Sequence, residues 1–108
     1  MGAYNILKTE IQCVHCKNTF CGDIQFKFGD TWQNIYIIGD KIGWGGADIG
    51  QPGYRKVKVY GILEQQECPI CGLPLEYDII VEKDIIKYIA PLASLEDYNS
   101  EDGNYRVL

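Results

Sequence analysis

The sequence predicts a mainly-β single domain with a mostly antiparallel sheet and little helix. Its 108 residues suffice for one domain with its own core. Isoleucine and tyrosine are abundant, which favours strands, and twelve glycines with four prolines indicate frequent turns. Several segments also alternate apolar and polar residues, as half-buried strands do. We therefore assign residues 1–108 to a single β domain.

The alternation places six strands along the chain. In the first, Leu7, Thr9 and Ile11 share one face; in the second, Ile24, Phe26 and Phe28 do. We expect Trp32, in the third strand, to lie in the core. The predicted strands cover residues 4–12, 24–28, 32–38, 55–63, 75–82 and 85–89.

Two segments depart from the strand pattern. Residues 39–54 include six glycines, which predicts a long loop carrying Trp44. Trp44 is either an exposed anchor for a partner or a side chain that folds back onto the sheet. The acids that follow Ser94 suit a capped helical turn. The acidic segment 95–108, and above all the polar residues 99–104, is expected to be a mobile tail.

Two Cys-x-x-Cys turns carry the clearest chemical signal. Cys13 and Cys16 form the first, and Cys68 and Cys71 form the second, 51 residues further on. A two-residue spacer lets both sulfurs of a turn reach one metal ion at about 2.3 Å, and two such turns complete a tetrahedral zinc site. The pattern therefore predicts one structural zinc ion bound by Cys13, Cys16, Cys68 and Cys71, with iron as the alternative metal.

The second turn, Cys68-Pro69-Ile70-Cys71-Gly72, resembles the metal knuckles of zinc ribbons and rubredoxins. The resemblance implies a hairpin setting and a bound metal, and it implies no activity. The first turn departs from the pattern because Lys17 and Asn18 follow it instead of glycine. Asparagine also tolerates the left-handed conformation that glycine adopts there.

The remaining candidate groups have simpler interpretations. Cys21 is the fifth cysteine, and we expect a small buried apolar residue instead of a ligand. His15, the one histidine, lies between two ligands, which argues against a Ser-His-Asp site. Four thiolates also leave zinc no open position for a substrate. The sequence therefore predicts a protein that is not an enzyme.

Charge and cysteine usage limit the partners. The net charge is −5 and only two arginines are present, which makes nucleic acid a poor candidate partner and favours a basic protein. No apolar run approaches the roughly 18 residues of a membrane span. Paired Cys-x-x-Cys turns without an export signal are typical of a reducing compartment, so we predict a cytoplasmic protein.

These observations favour a non-catalytic, zinc-stabilised protein-binding module. In general character the chain resembles the small immunity proteins that neutralise bacterial toxins, or an adaptor. The alternatives are a nucleic-acid-binding zinc ribbon, using Lys56, Lys58 and nearby tyrosines, and a rubredoxin-like electron carrier with iron. We expect the partner to bind the Gly-rich loop, because aromatic anchors beside charges are typical of interface hot spots. The predicted contact residues are Asp40, Ile42, Trp44, Asp48 and Ile49.

Overall fold

The computed structural model describes residues 4–46, 48–98 and 103–108, and confirms a mainly-β, mostly antiparallel fold. Its elements in chain order are β1 (Asn5–Gln12), β2 (Thr19–Phe26), β3 (Gly29–Asp30), β4 (Ile35–Tyr36), β5 (Asp48–Ile49), β6 (Val57–Glu67), β7 (Pro74–Glu82), β8 (Ile85–Pro91), a 3-10 helix (Leu95–Tyr98) and β9 (Tyr105–Val107).

Most of these strands form one sheet with the order β4-β1-β2-β6-β7-β8. All of its strand pairs are antiparallel except β4 with β1, which is parallel. β3 and β5 form a separate two-stranded ladder. The predicted third strand is therefore reduced to two residues, and it pairs with β1 in place of its neighbour β2.

The segment that follows β4 links the two edges of the sheet. β4 pairs with β1 at Ile6 and Leu7. A few residues later, the Gly39 N–H donates to the Ile86 carbonyl, and the Ile86 N–H donates to the Asp40 carbonyl. One stretch of chain thus bonds first to the β1 edge and then to the β8 edge, so the sheet curls toward a barrel.

The alternating faces predicted for the long strands build the core. Leu7, Ile11, Ile24 and Phe26 are buried from the first hairpin, and β6, β7 and β8 contribute many further buried side chains. Those of β6–β8 that are less than 2% exposed are Val57, Val59, Leu63, Ile79, Val81 and Ile86. Half-buried strands of this kind derive their stability from apolar area removed from water on one face.

The Gly-rich loop also contributes to the core. Ile42 is 2% exposed, and its Cγ2 atom lies 2.2 Å from the position a Cβ would occupy at Gly29. Gly29 has a φ of 82°, so glycine is required there both for the backbone and for the contact. Part of the Gly-rich loop therefore belongs to the core, and Ile42 is not available as the partner contact that the sequence predicted.

The C-terminal segment is held to the sheet on both sides of residues 99–102, which lie outside the described part of the chain. β9 pairs with the first part of β6. The 3-10 helix begins after Ser94, whose hydroxyl accepts a hydrogen bond from the Glu96 N–H at 3.2 Å, as the sequence predicted. Residues 95–98 and 103–108 are thus ordered, and the prediction that they form a mobile tail is wrong.

Buried polar side chains anchor this C-terminal segment. Tyr98 is buried and donates a 2.5 Å hydrogen bond to Asp78, itself only 5% exposed. Lys58 pairs with Asp97 and lies 3.9 Å from Asp78, while Arg106 lies 3.5 Å from Asp97. Lys58 lowers the pKa of Asp97, against a smaller opposing effect of burial. Asp97 and Tyr98 therefore attach the segment to β6 and β7.

Candidate metal centre

The four predicted cysteine ligands come together at one end of the sheet. Cys13 and Cys16 lie in the turn between β1 and β2, and Cys68 and Cys71 lie in the turn between β6 and β7. Because β2 pairs with β6, the two hairpins bring their turns side by side. Both turns occur at hairpin ends, which confirms the setting that the knuckle resemblance implied.

The sulfur geometry fits a single tetrahedral ion. The Sγ atoms of the four cysteines all lie within 4.8 Å of one another. Cys13 and Cys71 are 3.7 Å apart at sulfur, and Cys16 and Cys68 are 3.8 Å apart. An ion about 2.3 Å from four sulfurs at tetrahedral corners requires sulfurs roughly 3.8 Å apart. These distances match the metal requirement and far exceed the length of a disulfide bond, about 2.05 Å.

The two turns repeat the same hydrogen bonds at equivalent positions. The N–H of Lys17 donates to the Cys13 carbonyl at 2.9 Å, and the N–H of Gly72 donates to the Cys68 carbonyl at 2.9 Å. The N–H of His15 donates to the Cys13 sulfur, and that of Ile70 to the Cys68 sulfur, each at 3.4 Å. Such N–H···S bonds stabilise thiolate charge and orient the ligands.

The equivalent hydrogen bonds in the two turns show which residue takes the place of glycine in the first turn. Lys17 occupies the position that Gly72 holds in the second turn, and its φ is 66° against 78° for Gly72. Lys17, and not the neighbouring Asn18, therefore adopts the left-handed conformation. For a residue with a Cβ this conformation costs about 1–2 kcal/mol, which the ligand set and its hydrogen bonds must offset.

The electrostatics of the four thiols favour a bound cation. Hydrogen bonding by the Asn18 backbone lowers the pKa of Cys16 to about 6, against the opposing effect of burial. At Cys71 a Leu73 backbone hydrogen bond acts to lower the pKa, but burial and the neighbouring cysteines raise it to about 12. Several negative thiolates at such short range repel one another, and a divalent ion removes that repulsion.

Tyr77 is a buried neighbour of the thiols that the sequence did not single out. It is 2% exposed, and within the described chain its hydroxyl has no hydrogen-bond partner. Burial raises the pKa of Tyr77 to about 12, and the negative charge of Cys13 and Cys68 adds to the effect. Tyr77 therefore keeps its proton beside the centre.

The other cysteine and the histidine lie outside the ligand group. Cys21 is paired with Glu10 in the β1–β2 hairpin and is exposed, so the expectation of a buried Cys21 is wrong. The sulfur cluster contains only the four turn cysteines among the described residues, and Cys21 is not one of them. His15 is exposed beside the centre.

The predicted partner-binding residues do not form one exposed surface. Ile42 is buried, which removes it from any contact with a partner in this conformation. Trp44 packs inward, with its ring centroid 5.3 Å from that of Phe28 in an edge-on arrangement. Asp48 is exposed but accepts hydrogen bonds from the N–H groups of Gly45 and Gly46, and Asp40 accepts one from Ile37. Ile49 is half-buried in the β3–β5 ladder.

A run of large exposed apolar side chains lies just before that loop, in a segment for which the sequence predicted no partner contact. Trp32, Ile35 and Ile37 are 69%, 62% and 57% exposed, and Ile38 is 38% exposed. The expectation that Trp32 lies in the core is therefore wrong. The sequence does contain an indication of this exposed segment. Residues 35–38 are Ile-Tyr-Ile-Ile, so both faces of this short strand are apolar, and only one of them faces the core. Tyr36 takes the buried face.

Comparison of the chain with models of known protein families, with curated proteins and with solved structures gave no match. Within the described residues, no helix has the length and apolar character needed to cross a membrane.

Proposed function

We propose that the protein is a non-catalytic protein-binding module stabilised by one structural zinc ion. A single observation carries the binding role: Trp32, Ile35, Ile37 and Ile38 expose their side chains within seven residues of chain. These four side chains are called the Trp32–Ile38 surface below. Contiguous exposed apolar side chains are costly in water and mark interaction sites in soluble proteins.

The zinc assignment rests on the donor set. Four cysteine sulfurs at tetrahedral spacing, two from each hairpin end, form a closed site with no position left for a substrate. An ion there cross-links the β1–β2 and β6–β7 hairpins. Iron suits the same four sulfurs, and a rubredoxin-like carrier is the alternative that metal analysis and absorption spectra separate from zinc.

The chemistry of the Trp32–Ile38 surface describes the partner. A tryptophan with three isoleucines fits an apolar concave surface, and aromatic anchors of this kind often dominate binding energy. The chain carries a net charge of −5, and Asp40 borders the surface. A basic partner would therefore associate faster and in a salt-dependent manner. A toxin neutralised by an immunity protein is one partner of this description.

Contacts inside the chain favour protein over nucleic acid as the partner. Lys58, one of the lysines considered for a nucleic-acid surface, is engaged by Asp97 and Asp78. Tyr60 donates its hydroxyl to Glu76. Tyr54 packs between Phe28 and Tyr105. Stacking of bases on these rings would require breaking contacts that the fold already uses.

Site-specific photo-crosslinking in the native host tests the proposal. A photoreactive amino acid replaces Ile35, at the centre of the Trp32–Ile38 surface, and a matched sample carries it at Leu95, an exposed apolar residue on the 3-10 helix. We expect one protein to crosslink from position 35 and not from position 95. That complex, remade with purified proteins, should lose affinity roughly tenfold or more in Trp32→Ala, which corresponds to at least about 1.4 kcal/mol.

Three results would contradict the proposed function. Identical crosslinking from both positions, or unchanged affinity in Trp32→Ala, contradicts binding through this surface. Catalytic turnover by the purified zinc form on any substrate bound there contradicts the non-catalytic role.

A further inference from the structure

Below the segment that links the two sheet edges, the sheet has an open gap. Residues 35–42 bond to both edges at one end of the molecule. Nearer the metal centre, the two edges have no strand between them in the described part of the chain. Residues 8–12 of β1 pair only with β2, and residues 87–91 of β8 pair only with β7. We call the gap between residues 8–12 and 87–91 the open seam.

The β1 side of the open seam presents backbone groups suited to a further strand. The Ile6 N–H points away from β2, since it donates to the Asn34 carbonyl at 2.9 Å. Backbone direction alternates along a strand, so the N–H and C=O groups of Lys8, Glu10 and Gln12 point the same way, into the open seam. An edge strand of this kind is a template for pairing with another chain.

The open seam is also a concave site of useful size. A depression of about 330 Å³ lies between the edges, with Glu10 and Gln12 on one wall and Ile89 on the other. A second depression of about 230 Å³ adjoins it and shares Val14, Tyr77 and Pro91. Cavities that take ligands begin at about 300 Å³. Tyr77 lines both depressions, and it carries the buried hydroxyl that has no partner within the described chain.

We propose that an extended segment of the partner protein adds to β1 as a strand in the open seam, with an aliphatic side chain at alternate positions facing Val14 and Ile89. The inference rests on the proposed function and identifies how the partner binds. The segment would pair with β1 and not with β8, because Pro91 has no N–H to offer on that edge.

Two features favour a flexible partner segment over a second copy of this chain. The open seam is bounded by strands on both sides, which hinders the edge of a folded sheet from approaching β1. Antiparallel pairing of two β1 edges centred on Glu10 would also place that carboxylate opposite its own copy, which is unfavourable. In addition, the open seam continues the line of β4, whose Ile35 belongs to the Trp32–Ile38 surface. One partner can therefore occupy both.

Peptide selection on the zinc-loaded protein tests the inference. The probe is a displayed library of random, cysteine-free dodecapeptides, and the selected peptides are measured against three variants. Glu10→Pro removes the central N–H from the β1 edge, whereas the matched control Glu10→Ala removes the same side chain and keeps the N–H. Ile37→Ser alters the Trp32–Ile38 surface. Zinc content and thermal melting confirm that each variant is folded.

We expect the selected peptides to bind Glu10→Pro about tenfold or more weakly than Glu10→Ala, since both variants lack the carboxylate and only Glu10→Pro also lacks the N–H. Their binding should slow amide exchange at Lys8, Glu10 and Gln12 in the wild type, a readout that decides the question even if Glu10→Pro fails to fold.

Several results overturn the inference. One is that no peptide is recovered; another is that amide protection is confined to residues 32–38. Self-association that protects the same amides would assign the open seam to a second copy. If peptide binding is lost in Ile37→Ser but retained in Glu10→Pro, the open seam is rejected and the proposed function stands. If binding is retained in both variants, the proposed function is rejected as well.

Discussion

The two tryptophans should respond in opposite ways to the same substitution. Trp44 packs edge-on against Phe28 in the core, whereas Trp32 is 69% exposed. Replacing a buried tryptophan by alanine costs about 3–5 kcal/mol of folding free energy. Trp44 is half-buried, and its indole N–H is buried without a partner in the described chain, a penalty of about 1–3 kcal/mol that the substitution relieves.

We therefore expect Trp44→Ala to lower the free energy of unfolding by about 2 kcal/mol. For a domain of this size that is a fall in melting temperature of roughly 8–16 °C. Trp32→Ala should change stability by less than about 0.5 kcal/mol, as surface substitutions usually do.

Urea denaturation followed by far-ultraviolet circular dichroism measures both variants in the zinc-loaded form. The signal comes mainly from the backbone, and the unfolding midpoint does not depend on its amplitude, so the two variants are comparable. A loss of more than about 1.5 kcal/mol in Trp32→Ala, or none in Trp44→Ala, would refute the assignment of Trp44 to the core and of Trp32 to the surface.

The remaining predictions concern the metal centre and the C-terminal segment. Cys68→Ser should lower metal content and melting temperature together, because it leaves three ligands for a site that joins two hairpins; elemental analysis showing a full equivalent of metal would contradict this. Cys21→Ala should retain one metal per chain, and a loss of metal would mean that the first half of the site is misassigned. Lys58 lowers the pKa of Asp97 in the folded protein. Asp97 therefore stabilises the fold at pH values above its pKa in the unfolded chain, about 3.9, and this stabilisation is lost as the pH falls through the lowered pKa of the folded state. The protection factors of the β9 amides, which correct for the intrinsic pH dependence of exchange, should therefore fall in that acidic range, and in Asp97→Asn they should be low already at neutral pH; identical pH profiles of protection in the two proteins would exclude the ion pair as the anchor.

Local patterns predicted the parts of the molecule that depend on local geometry. The two-residue spacing in each Cys-x-x-Cys turn positions two sulfurs for one ion wherever the turn occurs, so the ligand set followed directly from the sequence. The alternation in β1 and β2 likewise identified the buried faces, because a strand directs successive side chains to opposite sides. The capped turn after Ser94 depends on hydrogen bonds within three residues.

Predictions about single side chains failed where distant parts of the chain decide their environment. Cys21 follows an apolar phenylalanine, yet its position opposite Glu10 in the hairpin leaves it exposed. The acidic C-terminal residues suggested a mobile tail, but Lys58 and Asp78, far away in sequence, provide the partners that hold residues 95–98. Composition does not reveal such partners, since they come together only when β6 and β7 pair.

The sequence by itself determined the mainly-β class, the inward faces of the first two strands, and the four cysteines that form a group able to hold a metal ion. Only the tertiary structure decided that Trp44 faces the core while Trp32 faces solvent, that β4 runs parallel to β1, and that the sheet leaves an open seam beside the metal centre. The physical reason is the range of the interactions. Strand alternation and ligand spacing act over a few residues, whereas the exposure of a loop side chain depends on which strand lies beside it. Ile42 packs against Gly29, and Trp44 packs against Phe28. The contact with Ile42 requires glycine at position 29, and no local pattern in the sequence predicts that these residues are neighbours.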